Sequence, residues 1–199
     1  MLMFLKDIVL RISVAQIVKG RTHLLLTTVL FSFLIMNVLQ LNIQSVNSSE
    51  SLLRAAIKKN NVDLVLLQEI WLPKEKFGIH GFQPPILRTR KDNYGGVGII
   101  ARNSLKVVHR KEYEVSGLEA TWVESCIPKS SSRILFGSIY INGGKLNQIA
   151  LLDKALSVIS PNHSSFILSM DANARNALWD ASAPLLPLSA LHLRWGRSF

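Results

Sequence analysis

Glu69 ends the run Val62-Asp63-Leu64-Val65-Leu66-Leu67-Gln68-Glu69, in which an aliphatic stretch stops abruptly at an amide and a carboxylate. A run this short and rich in Val and Leu reads as a strand buried on both faces of an α/β sheet. Side chains at the C-terminal end of such a strand emerge where α/β folds place their ligands. Two other strand-like runs end alike, the first at Asn42 and the last at Asp171 and Asn173. Carboxylates and amide oxygens are hard donors, suited to Mg²⁺ or Mn²⁺ rather than zinc. Each alone reads equally well as a polar residue capping a loop. Together, from both halves of the chain, they are what a shared metal and phosphate site needs.

The elements that must position them follow from periodicity. Val38 to Ile43 alternates as a strand, and Ser48 or Ser49 caps a helix carrying Leu52, Leu53, Ala56 and Ile57. Lys58, Lys59 and Asn60 end that helix. The buried strand follows at once, so the unit is strand-helix-strand with parallel strands in one sheet. Ile86 to Arg90 and Gly96 to Ala101 flank a turn as a hairpin. Leu105 to Glu114, Glu119 to Ile127 and Arg133 to Ile141 carry strand patterning. Leu146 to Ile159 is helical, and Phe166 to Met170 forms the last strand. Hairpins set between two crossover units imply a mixed α/β protein with a large, partly antiparallel sheet system.

At 199 residues, 48% hydrophobic and 18% charged, the chain can bury one sizeable core, and its composition argues against wholesale disorder. A formal net charge of +10 favours a polyanionic partner, either nucleic acid or an anionic membrane. The single cysteine, Cys126, excludes a disulfide framework and any multi-cysteine metal site. No Asp, Glu, Lys or Arg occurs from Thr22 to Ser49, and Leu24 to Met36 is almost wholly apolar behind Lys6, Arg11, Lys19 and Arg21. That segment reads either as a signal-anchor or transmembrane helix or as an irregular N-terminal extension.

The motifs resemble the endonuclease/exonuclease/phosphatase superfamily. Leu41-Asn42-Ile43-Gln44-Ser45 is similar to its first motif, and Asp63 to Leu72 to its second, whose Glu binds the divalent metal. Gly137-Ser138-Ile139-Tyr140-Ile141 looks like the strand bearing its active-site Tyr, and Ser169-Met170-Asp171-Ala172-Asn173-Ala174 matches its Asp-x-Asn motif. The wording is closest to endonuclease domains of insect non-LTR retrotransposons, which share the Gly95-to-Ile99 hairpin sequence and a Leu-Trp after Asp-Ala-Asn-Ala. The resemblance covers about Val38 to Trp179. It implies an incomplete four-layer α/β sandwich, two packed mixed sheets flanked by helices. It further implies Mg²⁺ or Mn²⁺ held by Glu69 and Asn42, with Tyr140 on the phosphate or its leaving group. Asp171 would orient or deprotonate the attacking water, and Asn173 would bond a phosphate oxygen.

The match stops short of the family's late Ser-Asp-His motif, which does not occur in this sequence. His163, in a turn, and His192, without a neighbouring carboxylate, do not substitute for it. The chain therefore reads as an N-terminal extension over 1–36, a partial, C-terminally truncated domain over 37–180 and an atypical tail over 181–199. Arg88, Arg90, Lys91 and Arg102 flank the Tyr94-Gly95-Gly96 turn, either reaching a DNA backbone or serving as solvated hairpin charges. Trp71 and Trp179 read as core cover ahead of base stacking. The expected function is divalent-metal-dependent DNA nicking for retrotransposition, impaired in this chain. The alternatives are a phosphatase or phospholipid phosphodiesterase on the same scaffold, and an inactive, membrane-associated fragment. No obligate protein partner is expected. The chain would be nuclear or cytoplasmic unless Leu24 to Met36 inserts into a membrane.

Overall fold

A computed structural model describes residues 4–5, 8–12, 17–18, 21–22, 25–31, 34–72, 77–92, 94–126, 133–142 and 147–173. Among these the chain runs β1 (Phe4–Leu5), β2 (Ile8–Ile12), β3 (Ile17–Val18), β4 (Arg21–Thr22), β5 (Leu25–Phe31), β6 (Leu34–Asn42), α1 (Val46–Lys59) and β7 (Leu64–Gln68). It continues through β8 (Ile86–Arg88), β9 (Val97–Ala101), β10 (Val107–His109), a 3₁₀ turn at Lys111–Tyr113, β11 (Glu119–Cys126), β12 (Arg133–Tyr140), α2 (Asn147–Asn162) and β13 (Phe166–Asp171). One sheet has the order β1-β2-β5-β6-β7-β9-β8, a second β10-β11-β12-β13, and β3 pairs only with β4.

The period-2 pattern of the strands sorts their side chains into layers. Leu39, Leu41, Val65 and Leu67 pack with Leu53, Ala56 and Ile57 of α1 on one face of the first sheet. Met36, Val38, Leu64, Leu66 and Ile99 point the other way and meet Val123, Ile134 and Phe136 of the second sheet. Beyond that sheet, Ala120, Trp122, Leu135 and Ile139 pack on Leu152, Ala155 and Ile159 of α2. The result is the expected helix-sheet-sheet-helix sandwich.

Both crossover units close as parallel pairs. β6 lies parallel to β7 with Asn42 opposite Gln68, and β12 lies parallel to β13 with Tyr140 opposite Asp171. β8 and β9 form the expected antiparallel hairpin, Arg88 opposite Val97. Leu105 to Glu114 departs from its strand reading: only Val107–His109 pairs, and the chain then turns at Lys111–Tyr113 so that Tyr113 buries against the α2 core. Helix α1 begins at Val46 without a side-chain cap, rather than at Ser48 or Ser49. The loop after β7 replaces the hydroxyl, since the amides of Ser45 and Val46 donate to the carbonyls of Glu69 and Ile70, each at 2.9 Å.

The apolar stretch Leu24 to Met36 is extended, not helical, over its described residues. Leu25–Phe31 pairs antiparallel with β6, Phe31 opposite Leu34, and the expected boundary at 36/37 falls inside β6. The alternation from Asn37 onward carries the strand period, and pairing on both sides of β6 satisfies its backbone. No helix among the described residues is long and apolar enough to cross a membrane. Trp179, His192 and the tail 181–199 lie outside the described residues.

Gly137 is required by packing. It faces Trp122 across β11 and β12, and a Cβ there would lie 2.3 Å from the indole ring. Trp122 is fully buried and cannot swing out to solvent. Gly137→Ala is expected to destabilise the fold by about 1–3 kcal/mol through overpacking. A lowered denaturant midpoint with unchanged slope checks it.

Candidate active site

The layer between the sheets is apolar along most of its length and turns polar at one end. Period 2 dictates this: Met36 and Val38 are followed on the same face by Gln40 and Asn42, Leu64 and Leu66 by Gln68, Ile134 and Phe136 by Ser138 and Tyr140, and Ile167 by Ser169 and Asp171. The two parallel registers bring these polar ends level with one another.

Gln68 lies at the boundary and is fully buried. Its Nε2 donates to Ser138 Oγ (3.0 Å), Ser169 Oγ (2.9 Å) and the Ser169 carbonyl (3.4 Å). Ser138 Oγ in turn donates to the Leu67 carbonyl at 2.7 Å. Gln40 Nε2 adds a bond to the Met170 carbonyl at 3.4 Å. One amide and two hydroxyls thus tie the sheets together directly beneath the site. The roles of Ser138 and Ser169 escape a residue-by-residue reading. Their signal is position: each stands two residues before a site residue, on the same strand face.

Above this clamp, Asn42 Nδ2 donates to Glu69 Oε1 (2.8 Å) and to Asp171 Oδ2 (2.5 Å). Two carboxylates from different sheets therefore converge on one buried amide. Glu69 lies just past the end of β7 with φ +52, and Trp71 follows with φ +44. Such left-handed non-glycine residues cost on the order of 1–3 kcal/mol and persist where their surroundings hold them. Here the amides of Ile70 (3.4 Å) and Trp71 (3.0 Å) donate to the carbonyls of Gly96 and Gly95, while the Glu69 and Ile70 carbonyls accept from the start of α1.

Asp171 accepts a second bond at Oδ1 from the Asn173 amide (3.0 Å), and Asn173 Nδ2 donates to the Ile141 carbonyl (2.9 Å). Extended Asp-x-Asn spacing predicts both side chains on one side of a strand, but β13 ends at Asp171 and Asn173 has φ +44. The turn, not the strand period, brings Asn173 back. Tyr140 stands opposite Asp171 and Glu119 in the sheet. Burial and the charge of Glu69 push its phenol above the usual tyrosine range, Asn173 opposes this by hydrogen bonding, and Asp171 and Glu119 add to the rise.

The four basic candidates separate. Arg88 donates to the carbonyls of Ala120 (3.0 Å) and Val115 (2.7 Å), holding the hairpin to the second sheet. Arg102 pairs with Asp63 at 3.1 Å and packs over Phe82, at the end of β7 opposite Glu69 and about 20 Å from it along the strand. Arg90 borders the site, paired with Glu119 (3.3 Å) and Asp92 (2.5 Å). Lys91 is exposed on the same turn. These arginines are thus engaged within the chain. His163 Nε2 lies 2.8 Å from Tyr113 Oη at the far end of β13, and His109 pairs with Glu114 at 2.8 Å on β10. Among the described residues no group of three or more His, Cys, Asp or Glu side chains gathers as a metal cluster.

Residues 39–193 match the Endonuclease/Exonuclease/phosphatase family. The fold is similar to the endonuclease domain of TRAS1, a telomere-specific non-LTR retrotransposon, with a TM-score of 0.57 at 18% identity over 71% of this chain and 61% of that one. It is also similar to the 3′-5′ exonuclease NExo of Neisseria meningitidis (TM-score 0.53, 19% identity, 68% of this chain and 57% of that one). The human Nocturnin catalytic domain aligns with a TM-score of 0.55 at 15% identity, over 70% of this chain and 64% of that one. The chain thus spans less than two thirds of the length of each. No match is found among curated proteins.

In metal-free buffer, ultraviolet titration is expected to show a late-ionising tyrosine that Tyr140→Phe removes and Glu69→Gln shifts back toward 10.0. The sign follows from the charges, because a neighbouring carboxylate opposes the phenolate and its removal eases ionisation. An unchanged titration in Glu69→Gln contradicts the geometry.

Proposed function

Because this chain belongs to the Endonuclease/Exonuclease/phosphatase family, we propose that it hydrolyses DNA phosphodiesters with a divalent metal, nicking a target strand to expose a 3′ hydroxyl for retrotransposon priming. The observation that carries this reading is the convergence of Glu69 and Asp171, from separate sheets, on the amide of Asn42. All the donors are hard oxygens, with no thiolate or imidazole among them, and Mg²⁺ or Mn²⁺ takes one or two carboxylates alongside phosphate oxygens. The donor set fits. Glu69 would hold the metal beside Asn42, where a bound divalent cation supplies Lewis-acid polarisation of the phosphate.

The chain's own groups divide the remaining work. Each Asp171 oxygen accepts one hydrogen bond and keeps capacity for another, so this carboxylate can orient an attacking water and take its proton. Tyr140 stays a neutral phenol at physiological pH and can donate to the phosphate or its leaving oxygen. Asn173, held by the Ile141 carbonyl beside Tyr140, would bond a phosphate oxygen. Among the described residues no histidine stands with a carboxylate at this site, and Asp171 is the group that would activate the water. Lys91, on the exposed turn beside Arg90, and a net charge of +10 favour DNA as the partner.

With Mg²⁺ or Mn²⁺ the protein is expected to nick supercoiled plasmid, and Glu69→Ala and Asp171→Ala are each expected to lose at least about 100-fold in rate. Activity on phospholipid vesicles but not on DNA would reassign the substrate. Equal nicking by wild type and Glu69→Ala would remove the metal-site reading.

A further inference from the structure

Glu119 is a carboxylate at the rim of the site to which the sequence motifs assign no role. It starts β11, directly opposite Tyr140, on the face between the sheets. Its Oε2 accepts the Gly96 amide at 2.7 Å and its Oε1 lies 3.3 Å from Arg90 Nη1. Gly95 and Gly96 have φ +77 and +80, and a Cβ on Gly95 would come within 2.7 Å of that same Oε2. The two glycines are therefore what allow the turn to close on Glu119. Their carbonyls receive the amides of Trp71 and Ile70, the residues that follow Glu69. Trp71 and Tyr94 complete the attachment edge-to-face, with ring centroids 5.6 Å apart.

We propose that Glu119 is a positioning residue: anchored in the second sheet, it holds the Gly95-Gly96 turn, and that turn holds Glu69 in its left-handed conformation. The part of this inference that concerns metal affinity rests on the function proposed above. The anchor itself does not. The bond from Gly96 needs an acceptor oxygen, which a glutamine retains and an alanine lacks. A charged hydrogen bond of this kind crosses from one sheet to the other and acts on Glu69 through two backbone links, so its loss loosens a ligand without touching it.

Amide hydrogen exchange of the full chain, read by NMR, tests the anchor in Glu119→Ala and Glu119→Gln. Alanine is expected to speed exchange at Gly96, Ile70 and Trp71 by tenfold or more while Leu66 and Ile99 in the strand interiors keep their protection; glutamine is expected to stay near wild type. In the same samples, calorimetric titration with Mn²⁺ is expected to show affinity weakened about tenfold or more by alanine and largely restored by glutamine. Wild-type protection at Trp71 in Glu119→Ala overturns the proposal, and so does an equal loss at Leu66 and Ile99. If the wild-type chain takes up no Mn²⁺, the metal reading fails while the amide pattern still decides the anchor.

Discussion

A single side-chain amide holds two carboxylates of different sheets in one place, and the rest of the site is arranged around that fact. Glu69 and Asp171 carry like charge, and like charges brought together in a half-buried setting repel more strongly than in water. Asn42 answers with two donors from one nitrogen. A residue without that fork would leave the two oxygens facing each other. Because Asn42 is itself buried, its position is set by β6, and β6 is set by the parallel register that places it opposite Gln68. The chemistry of the site thus rests on strand pairing, with little left to side-chain choice.

Beneath it, polar contacts replace apolar ones in a graded way. Leu66 and Phe136 meet through hydrocarbon, then Gln68 meets Ser138 and Ser169 through hydrogen bonds, then carboxylates meet an amide. Each step toward solvent exchanges packing for directionality. A buried amide that finds two hydroxyls and a carbonyl fixes the relative height of two sheets more sharply than aliphatic packing, which tolerates sliding. The arginines do comparable work at the margins. Arg88 binds a carbonyl of β11 and one of the loop before it, and Arg102 closes the far end of β7, so these two charges are spent inside the fold.

The sequence made the strand ends legible because burial on both faces enforces an apolar run and its end is abrupt. Asn42, Glu69 and Asp171 were readable as strand ends for that reason, as were the two crossover units, whereas Tyr140 and the four layers came from the family resemblance. What escaped depends on partners distant in sequence. Nothing local marks Glu119 as the acceptor for Gly96, since the two lie 23 positions apart and are joined only when the sheets pack. The partners of the arginines escaped for the same reason, because a guanidinium beside a turn looks the same whatever acceptor it meets. The N-terminal apolar stretch shows another limit. Hydropathy reports that a segment avoids water, whereas pairing with β6 decides that it is extended. Asn173 owes its place to a left-handed turn that strand periodicity cannot foresee.

The bond from Asn42 to Asp171 spans 129 positions, which sets an order of events during synthesis. At about 5–20 residues per second, Asn42 leaves the ribosome roughly 6–26 s before Asp171. Through that interval β6, β7 and α1 can assemble the first half of the core, but the other face of their sheet has nothing to cover it. Gln68 meanwhile waits for the hydroxyls of Ser138 and Ser169. The nascent half-sandwich therefore presents Leu64, Leu66 and Ile99 to water until the second sheet is made. The site itself can close only once Asp171 has been made.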